Sequence, residues 1–553
     1  MKKRYNSLPF LLLIAAICFF LGAFTHARVS QLDIDRNMVE QAAQVIGLEM
    51  TPAEIDTMLP DLTELREDYA EMRQYKIKNE ISPALYFNPL PKNFQPLTQQ
   101  KPLVFSELAE VRLPKNETDL AFYTVRQLSK LIHSKQISSV ALTQYFLDRL
   151  EQFDPQLHCV ISLTKERALA QARKMDDELA RGQSRGELHG IPFGIKDLLN
   201  TKDYKTTWGA TPFQNQQFDN DAVVLQKLEA AGGVLVAKLT LGALAWGDVW
   251  YGGQTRNPWA PESGSSGSSA GSASAVSAGL VPFAIGTETL GSIVSPSTVC
   301  GTTGLRPSFG RVSRTGAMAL SWSMDKIGPL CRNAEDCALV FSAIHGGDPN
   351  DRSLIDAAFN YNAKQDIPSL KVAYLKSDFD RSYAFKQQDS IALDQLRAQG
   401  VQLTPVELPE MPPIGFILSA EAAAAFDELT RSNQDDELVR QIRFAWPNVF
   451  RQSRFIPAVE YIQANRLRSQ LIEEMNALME DYDVLIHPSW ASQSLRISNL
   501  TGHPCVVLPN GFRDARPTSL TFTGKLFGEA EILRFAQFYQ DHTDFHLKHP
   551  TLE

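Results

Sequence analysis

Apolar positions along this chain fall into three regimes. From Leu8 to Phe24 they are nearly continuous. From Asp33 to about Lys92 they recur at helical spacing, and beyond residue 120 short apolar runs alternate with helical periodicity. In the second regime Met38, Ala42, Val45, Ile46 and Leu48 make one apolar face. Thr51-Pro52-Ala53-Glu54 reads as an N-cap, a proline at the first helical position and an acidic first turn. Residues 84–118 carry Pro89, Pro91, Pro96, Pro102 and Pro114 among polar residues, which predicts an extended connector. A helical stretch over Thr124–Phe153 then opens the main body through Val125, Leu128, Leu131, Ile132, Val140, Leu142, Phe146 and Leu150. A helix over Asp221–Ala231, a β-branched strand over Gly233–Ala237 and a second strand over Leu280–Ile285 follow. Residues 350–480 are more helical and end in a long helix, Ala458–Glu480; Asp483–His487 and Pro504–Leu508 read as late strands. The alternation predicts an α/β body.

The first regime has its own meaning. Lys2-Lys3-Arg4 precedes the apolar run, and Thr25-His26-Ala27 follows it, the charged, apolar, small-residue order of a secretory signal peptide with cleavage after Ala27. The run is also near the lower limit for a spanning helix, so an uncleaved membrane anchor is the alternative. Either places the bulk of the chain outside the cytoplasm, periplasmic or extracellular. Three segments result: a signal peptide or anchor over 1–27, a helical extension and connector over 28–118, and a main domain over 119–553.

Composition narrows the function. With 553 residues, 44% hydrophobic and 21% charged, the chain can bury a large core. A net charge of -9 opposes a dedicated nucleic-acid binder, which needs a basic footprint. The six cysteines form no C-x-x-C pair and the ten histidines no H-E-x-x-H cluster, so no metal is expected. The cysteines sit in apolar context as small core residues.

The most informative stretch is Ser263–Ser292. Serine and glycine crowd Ser263–Ser274, a composition shared with flexible linkers. A linker would not run directly into Ala275–Ile285 without a polar spacer. The small residues instead indicate close packing around a helix start near Ser269–Ala270, and a second small-residue turn, Gly286–Ser292, holds another serine. Upstream, His189–Asn200 places Lys196 directly after an apolar, strand-like run. A buried lysine is costly unless paired or neutral, and a neutral one can act as a base. A strand-end lysine paired with Asp197 is the structural alternative.

These blocks come in a recognisable order: Gly190–Asp197, Gly264–Gly279, Gly286–Ile293, Cys300–Pro307, Gly310–Ser313, Asp325–Pro329, Asp483–Pro488 and Asn499–Pro504. Together, over roughly residues 120–545, they resemble the amidase signature family. The resemblance implies an α/β amidase signature fold, a large mixed twisted sheet flanked by helices on both faces, here with an additional helical N-terminal segment. It implies a Ser–cis-Ser–Lys triad with Ser292 as nucleophile, Ser268 as bridging serine and Lys196 as base, and no cofactor. The backbone N–H groups of Thr289, Leu290, Gly291 and Ser292 would form the oxyanion hole. The partner is a small-molecule amide, cleaved to carboxylate plus ammonia or amine.

Ser269 has two readings, a hydrogen bond within the site or a helix N-cap. For Ser263, Ser265, Ser266, Ser272 and Ser274 close packing is the reading. Trp246, Trp250, Tyr251 and Trp322 lie near the motifs, as pocket lining or as core.

Three positions depart from the family's usual turn, Gly-Thr-Asp-x-Gly-Gly-Ser-Ile-Arg: Glu288 replaces Asp, Leu290 replaces Gly and Val294 replaces Arg. The joint change at the Asp and Arg positions implies loss of a local ion pair. Leu290 adopts positive φ only at a cost, which puts the oxyanion hole in question. Without the arginine, neutral apolar acyl groups are expected to be favoured. Two other functions compete. One is that of the glutamine-hydrolysing component of a tRNA-dependent amidotransferase, a complex whose small partner protein residues 33–80 faintly resemble. The other is a catalytically inactive binding protein on the same scaffold.

Overall fold

The computed structural model describes residues 33–552, and the segment expected to be a signal peptide or anchor lies outside the described residues. Among the described residues no helix is long and apolar enough to cross a membrane. Contacts divide the chain between Lys78 and Asn79. One compact unit runs up to Lys78 and includes Phe455–Pro457; the other holds Asn79–Arg454 and everything from Ala458 onward. The connector at 84–118 belongs to the larger unit.

In the smaller unit, Asp35 caps the helix Arg36–Val45 by accepting from the Met38 amide at 2.9 Å. Thr51 and Glu54 form a reciprocal capping box at the start of Pro52–Met72, with Pro52 in the first turn, as the sequence pattern requires. The expected helical regime is shorter than read, since no helix follows Met72 before Glu117. Met38, Val45, Ile46 and Leu48 are exposed, so the apolar face they form is not buried.

The larger unit is built on an eleven-stranded mixed sheet. In chain order its strands are β1 (Val160–Leu163), β2 (Pro192–Lys196), β3 (Val234–Leu239), β4 (Ala284–Glu288), β5 (Thr303–Arg306) and β6 (Lys326–Cys331). Then come β7 (Val372–Leu375), β8 (Leu403–Val406), β9 (Val484–Pro488), β10 (Cys505–Arg513) and β11 (Arg516–Gly524). Their spatial order is β1-β3-β2-β4-β6-β5-β10-β11-β9-β7-β8. Pairing is parallel where β2 meets β3 and β4 and where β7 meets β8 and β9, and antiparallel elsewhere.

Both faces of the sheet are covered. Along β3 the side chains alternate: Leu235 joins a core with Val125, Phe193 and Phe341, while Val234 and Val236 join another with Leu147, Ala172 and Ala275. Strands buried on both faces read as continuous apolar runs, which is how β2 and β3 look in the sequence. The five described cysteines are free and buried within this packing.

Two expected elements are displaced. The stretch Thr124–Phe153 is two helices, Val125–His133 and Ser139–Leu157, because Lys135 turns into positive φ and Ser138 caps a new start. The strand expected at Leu280–Ile285 begins at Ala284 and runs to Glu288. Leu280, Val281 and Phe283 are buried ahead of it, in a turn that brings the chain from the helix Ala270–Ser277 into the sheet. The polar end of β4 therefore lies beside the end of β2, and this juxtaposition makes the site.

Candidate active site

Lys196 is the last residue of β2 and is fully buried. Its Nζ lies 2.8 Å from Ser268 Oγ, 3.2 Å from Ser269 Oγ, 2.9 Å from Thr287 Oγ1 and 3.4 Å from the Thr287 carbonyl. Among the described residues no carboxylate is within ion-pair range of it. Burial pulls its ammonium down to about 7, against weaker opposing fields from Asp325 and Glu288. The pairing of Lys196 with Asp197 considered from sequence is absent. Asp197 sits 2.8 Å from Lys238 Nζ, both groups fully buried, and accepts the Thr207 amide and hydroxyl.

Ser268 follows a cis peptide bond from Gly267, ahead of the helix Ala270–Ser277. At Gly267 a Cβ would lie 1.9 Å from the Gly247 carbonyl, so only glycine fits there. Ser269 makes no helix-capping bond with its side chain. Its hydroxyl accepts the Thr287 amide at 3.1 Å and donates to the Thr287 carbonyl at 3.0 Å, which ties the helix start to β4. The remaining serines pack and bond locally: Ser272 to the Ile285 carbonyl, Ser274 to the Arg256 carbonyl, Ser265 to the Ser266 carbonyl.

Ser292 ends the turn that follows β4. It is brought to the other two through backbone, the Ser269 amide donating to the Ser292 carbonyl at 3.1 Å. Its hydroxyl makes no hydrogen bond to Ser268, a leg that in unliganded enzymes commonly tightens only around substrate. Within the turn the positive φ falls on Gly291, at 85°, and not on Leu290. The glycine that the turn requires is thus present, and Leu290 instead packs against the cluster of Val294, Leu495, Cys505 and Val507. The amide N–H groups of Leu290, Gly291 and Ser292 have no hydrogen-bond partner among the described residues. Such a row of free donors can receive a developing oxyanion.

The turn is held at both ends by carboxylates whose partners the sequence did not reveal. Thr289 Oγ1 donates to Asp325 Oδ1 at 2.5 Å, and Asp325 also accepts the Leu320 and Ser321 amides. On the other side Glu288 accepts the amides of Ile293 at 2.8 Å and Val294 at 3.0 Å, directly after Ser292. Its second oxygen receives Arg306 Nη1 and Asn499 Nδ2, each at 2.8 Å. The expected loss of an ion pair is therefore corrected. Glu288 keeps a fully buried pair, supplied by Arg306 of β5, which against the cost of burial holds its carboxyl at about 2. Asp325, Arg306 and Asn499 all lie inside motif blocks visible in the sequence; only their spatial pairing was hidden.

A cavity of about 480 Å³ reaches the site at Thr287 and Thr289 and is lined further by Ala245, Leu198, Trp322 and Lys326. Of the aromatics noted from sequence, Trp322 reaches it. Trp250 is buried edge-on to Tyr251, and Trp246 lies under the Arg440 guanidinium. No group of three metal-ligating side chains occurs among the described residues.

Known proteins resemble this chain in sequence and fold. The chain matches the amidase family over residues 141–507. It is 32% identical over 485 residues to the A subunit of the glutamyl-tRNA(Gln) amidotransferase of Coxiella burnetii, covering 78% of this chain and 99% of that one. Among solved structures, the native peptide amidase of Stenotrophomonas maltophilia superposes with a TM-score of 0.68 at 29% identity, over 76% of this chain and 96% of its own. The corresponding glutamyl-tRNA(Gln) amidotransferase chain of Thermotoga maritima gives 0.63 at 25% identity, over 76% and 94%. A family match over most of the chain, with relatives aligned along nearly their whole length, establishes that the chain belongs to the amidase family.

Proposed function

We propose that the chain hydrolyses a neutral carboxylic amide of the simple monocarboxylic type, with Ser292 as nucleophile, Ser268 as proton relay and Lys196 as base. The observation that carries this reading is Lys196: buried, without a carboxylate partner among the described residues, and 2.8 Å from the Ser268 hydroxyl. A serine hydroxyl is a weak nucleophile and needs such a neighbour. Neutral Lys196 takes the Ser268 proton while Ser268 takes that of Ser292, whose Oγ bonds to the amide carbon. The carbonyl electrons move to oxygen, which the N–H groups of the turn Thr289, Leu290, Gly291 and Ser292 receive. Collapse breaks the carbon–nitrogen bond, and the amine leaves with the proton returned through Ser268. Water then repeats the sequence on the ester, releasing carboxylate and free Ser292.

Similarity to the amidotransferase chains favours a second reading, hydrolysis of glutamine to supply ammonia. Against it, Val294 places no fixed cation at the turn to meet a charged substrate. Fluorophosphonate labelling of Ser292, together with ammonia or amine release from a panel of primary amides, anilides, peptide amides and glutamine, tests both. Glutamine as the best substrate supports the second reading. No labelling and no turnover supports the inactive scaffold.

We also propose export from the cytoplasm, on the order Lys2-Lys3-Arg4 followed by Leu8–Phe24. Cell fractionation with N-terminal sequencing tests it: a cytoplasmic protein beginning at Met1 or Lys2 would refute it.

A further inference from the structure

The Ser292 turn is held from Asp325, and Asp325 ends a loop, Ala319–Asp325, that is gripped from several distant parts of the chain. The Asn79 side chain accepts the Ala319 amide at 2.7 Å and donates to the Ala319 carbonyl at 2.9 Å. Arg314 Nη1 donates to the Trp322 carbonyl at 2.7 Å. Asp325 closes the loop on itself by accepting the Leu320 and Ser321 amides.

Two further residues hold this loop, and neither belongs to the site described above. Glu421, on the helix Phe416–Ala425, is buried. Its carboxylate accepts the Ser321 hydroxyl at 2.6 Å, the Ser323 amide at 3.0 Å, the Ser323 hydroxyl at 2.6 Å and the Tyr461 hydroxyl at 2.8 Å. Arg468, on the helix Ala458–Glu480, is 1% exposed. It donates to the Ser323 hydroxyl at 2.7 Å, to the Ser323 carbonyl at 2.9 Å and to the Leu500 carbonyl at 2.6 Å. The two charges attract each other with Ser323 between them, its hydroxyl accepting from the guanidinium and donating to the carboxylate.

Burying two opposite charges is costly, and well-packed apolar side chains would serve stability as well. What the charged pair supplies here is a fixed position for the loop between them. That loop ends at Asp325, which accepts the Thr289 hydroxyl at 2.5 Å, three residues before Ser292.

We infer that Glu421 and Arg468 are positioning residues for the Ser292 turn, acting through the loop Ala319–Asp325 and Thr289. The inference rests on the reading of Ser292 as an amidase nucleophile. It extends the working parts of the enzyme to two helices in residues 350–480, a region that the motif blocks skip.

A double-mutant cycle in kcat tests this. Thr289→Val removes the bond by which the loop holds the turn, and Glu421→Gln weakens the grip on the loop. Each change alone should lower kcat about tenfold and alter KM by less than about twofold, as expected for one hydrogen bond to a charged group. Because both act along one path, the double variant should match the slower single variant to within about twofold. A merely structural role for Glu421 would lower the melting temperature and leave the two losses independent. Losses that multiply, or a Glu421→Gln variant with wild-type kcat, overturn the inference and leave the amidase reading standing. If Glu421→Gln does not fold, Ser321→Ala, which deletes one bond to Glu421, takes its place in the cycle with the same expectation.

Amide hydrogen exchange gives a readout that needs no turnover. Coupling between two places is reciprocal. Thr289→Val should therefore speed exchange of the Ser323 amide, which donates to Glu421, by about fivefold. Faster exchange there supports the path even if the wild type hydrolyses no amide, and an unchanged rate overturns it.

Discussion

Lys196 and Asp197 are adjacent in the chain and have entirely different partners: the first lies 2.8 Å from Ser268, the second 2.8 Å from Lys238. Lys196 ends β2 and Asp197 opens the turn that follows, so the two residues that look like a local ion pair in sequence are carried to different partners. The two residues should fail differently when changed. Lys196→Arg keeps a cation where a neutral amine is needed, and should lose activity to below about one-hundredth while remaining folded. Asp197→Asn leaves Lys238 buried without its counter-charge and should cost about 3–5 kcal/mol of stability. Thermal unfolding and kcat, measured on both variants, check this. An active Arg variant would remove Lys196 as base.

Ser292→Ala deletes one hydroxyl from a turn fixed by neighbouring residues. Hydrolysis should fall below about one-hundredth of wild type with an unchanged melting temperature and no fluorophosphonate labelling. Residual turnover above that level would exclude Ser292 as nucleophile.

In the proposed reaction the Lys196 amine acts only when deprotonated. Since burial holds it at about 7, well below an ordinary lysine, kcat/KM should rise with pH through an apparent value near 7 and then level. A profile still rising toward pH 10 would mean that the lysine behaves as if it were exposed.

Glu288 tests the support beneath the turn. Its carboxyl is held at about 2, below the ordinary 4.5, so its contribution to stability is complete above about pH 4.5 and is lost as pH falls through the folded value. Glu288→Gln leaves Arg306 without a charge partner and should destabilise by about 3–5 kcal/mol. It should also lower kcat more than it changes KM, because it loosens the Ile293 and Val294 amides next to Ser292. Urea unfolding and steady-state kinetics read the two effects separately, and a variant as stable as wild type would contradict the pairing.

Chelators should leave turnover unaffected, since the proposed chemistry needs only hydroxyls and an amine. Loss with EDTA that zinc restores would require a different mechanism.

How much of this was legible follows from the range of each interaction. Lys196, Ser268 and Ser292 stand in contiguous motif blocks, so their candidacy is a local property of the sequence, as is the capping box at Thr51 and Glu54. The β4 boundary was misplaced because the run Leu280–Ile285 is apolar for packing reasons. The strand proper carries Thr287 and Glu288, polar residues that a strand pattern discounts but the site requires. The break at Lys135 depends on a single left-handed residue within an otherwise helical pattern. Glu288 with Arg306 and Asn499 was illegible because β4, β5 and the helix Ser494–Thr501 meet only in three dimensions; sequence reported the loss of one partner and could not report its replacement. Leu290 was harmless for a similar reason: the conformational demand fell one residue later, on Gly291.

The bracketing of the Ser292 turn by Asp325 on one side and Glu288 on the other has a further consequence. A turn anchored by Asp325 at the start of β6, and to β5 and the helix Ser494–Thr501 through Glu288, cannot drift without disturbing the sheet itself. Heating should therefore produce no temperature range in which the protein is folded but idle. The inactivation curve and the unfolding curve should coincide, and the Ile293 and Val294 amides held by Glu288 should be among the last in the molecule to exchange their hydrogens.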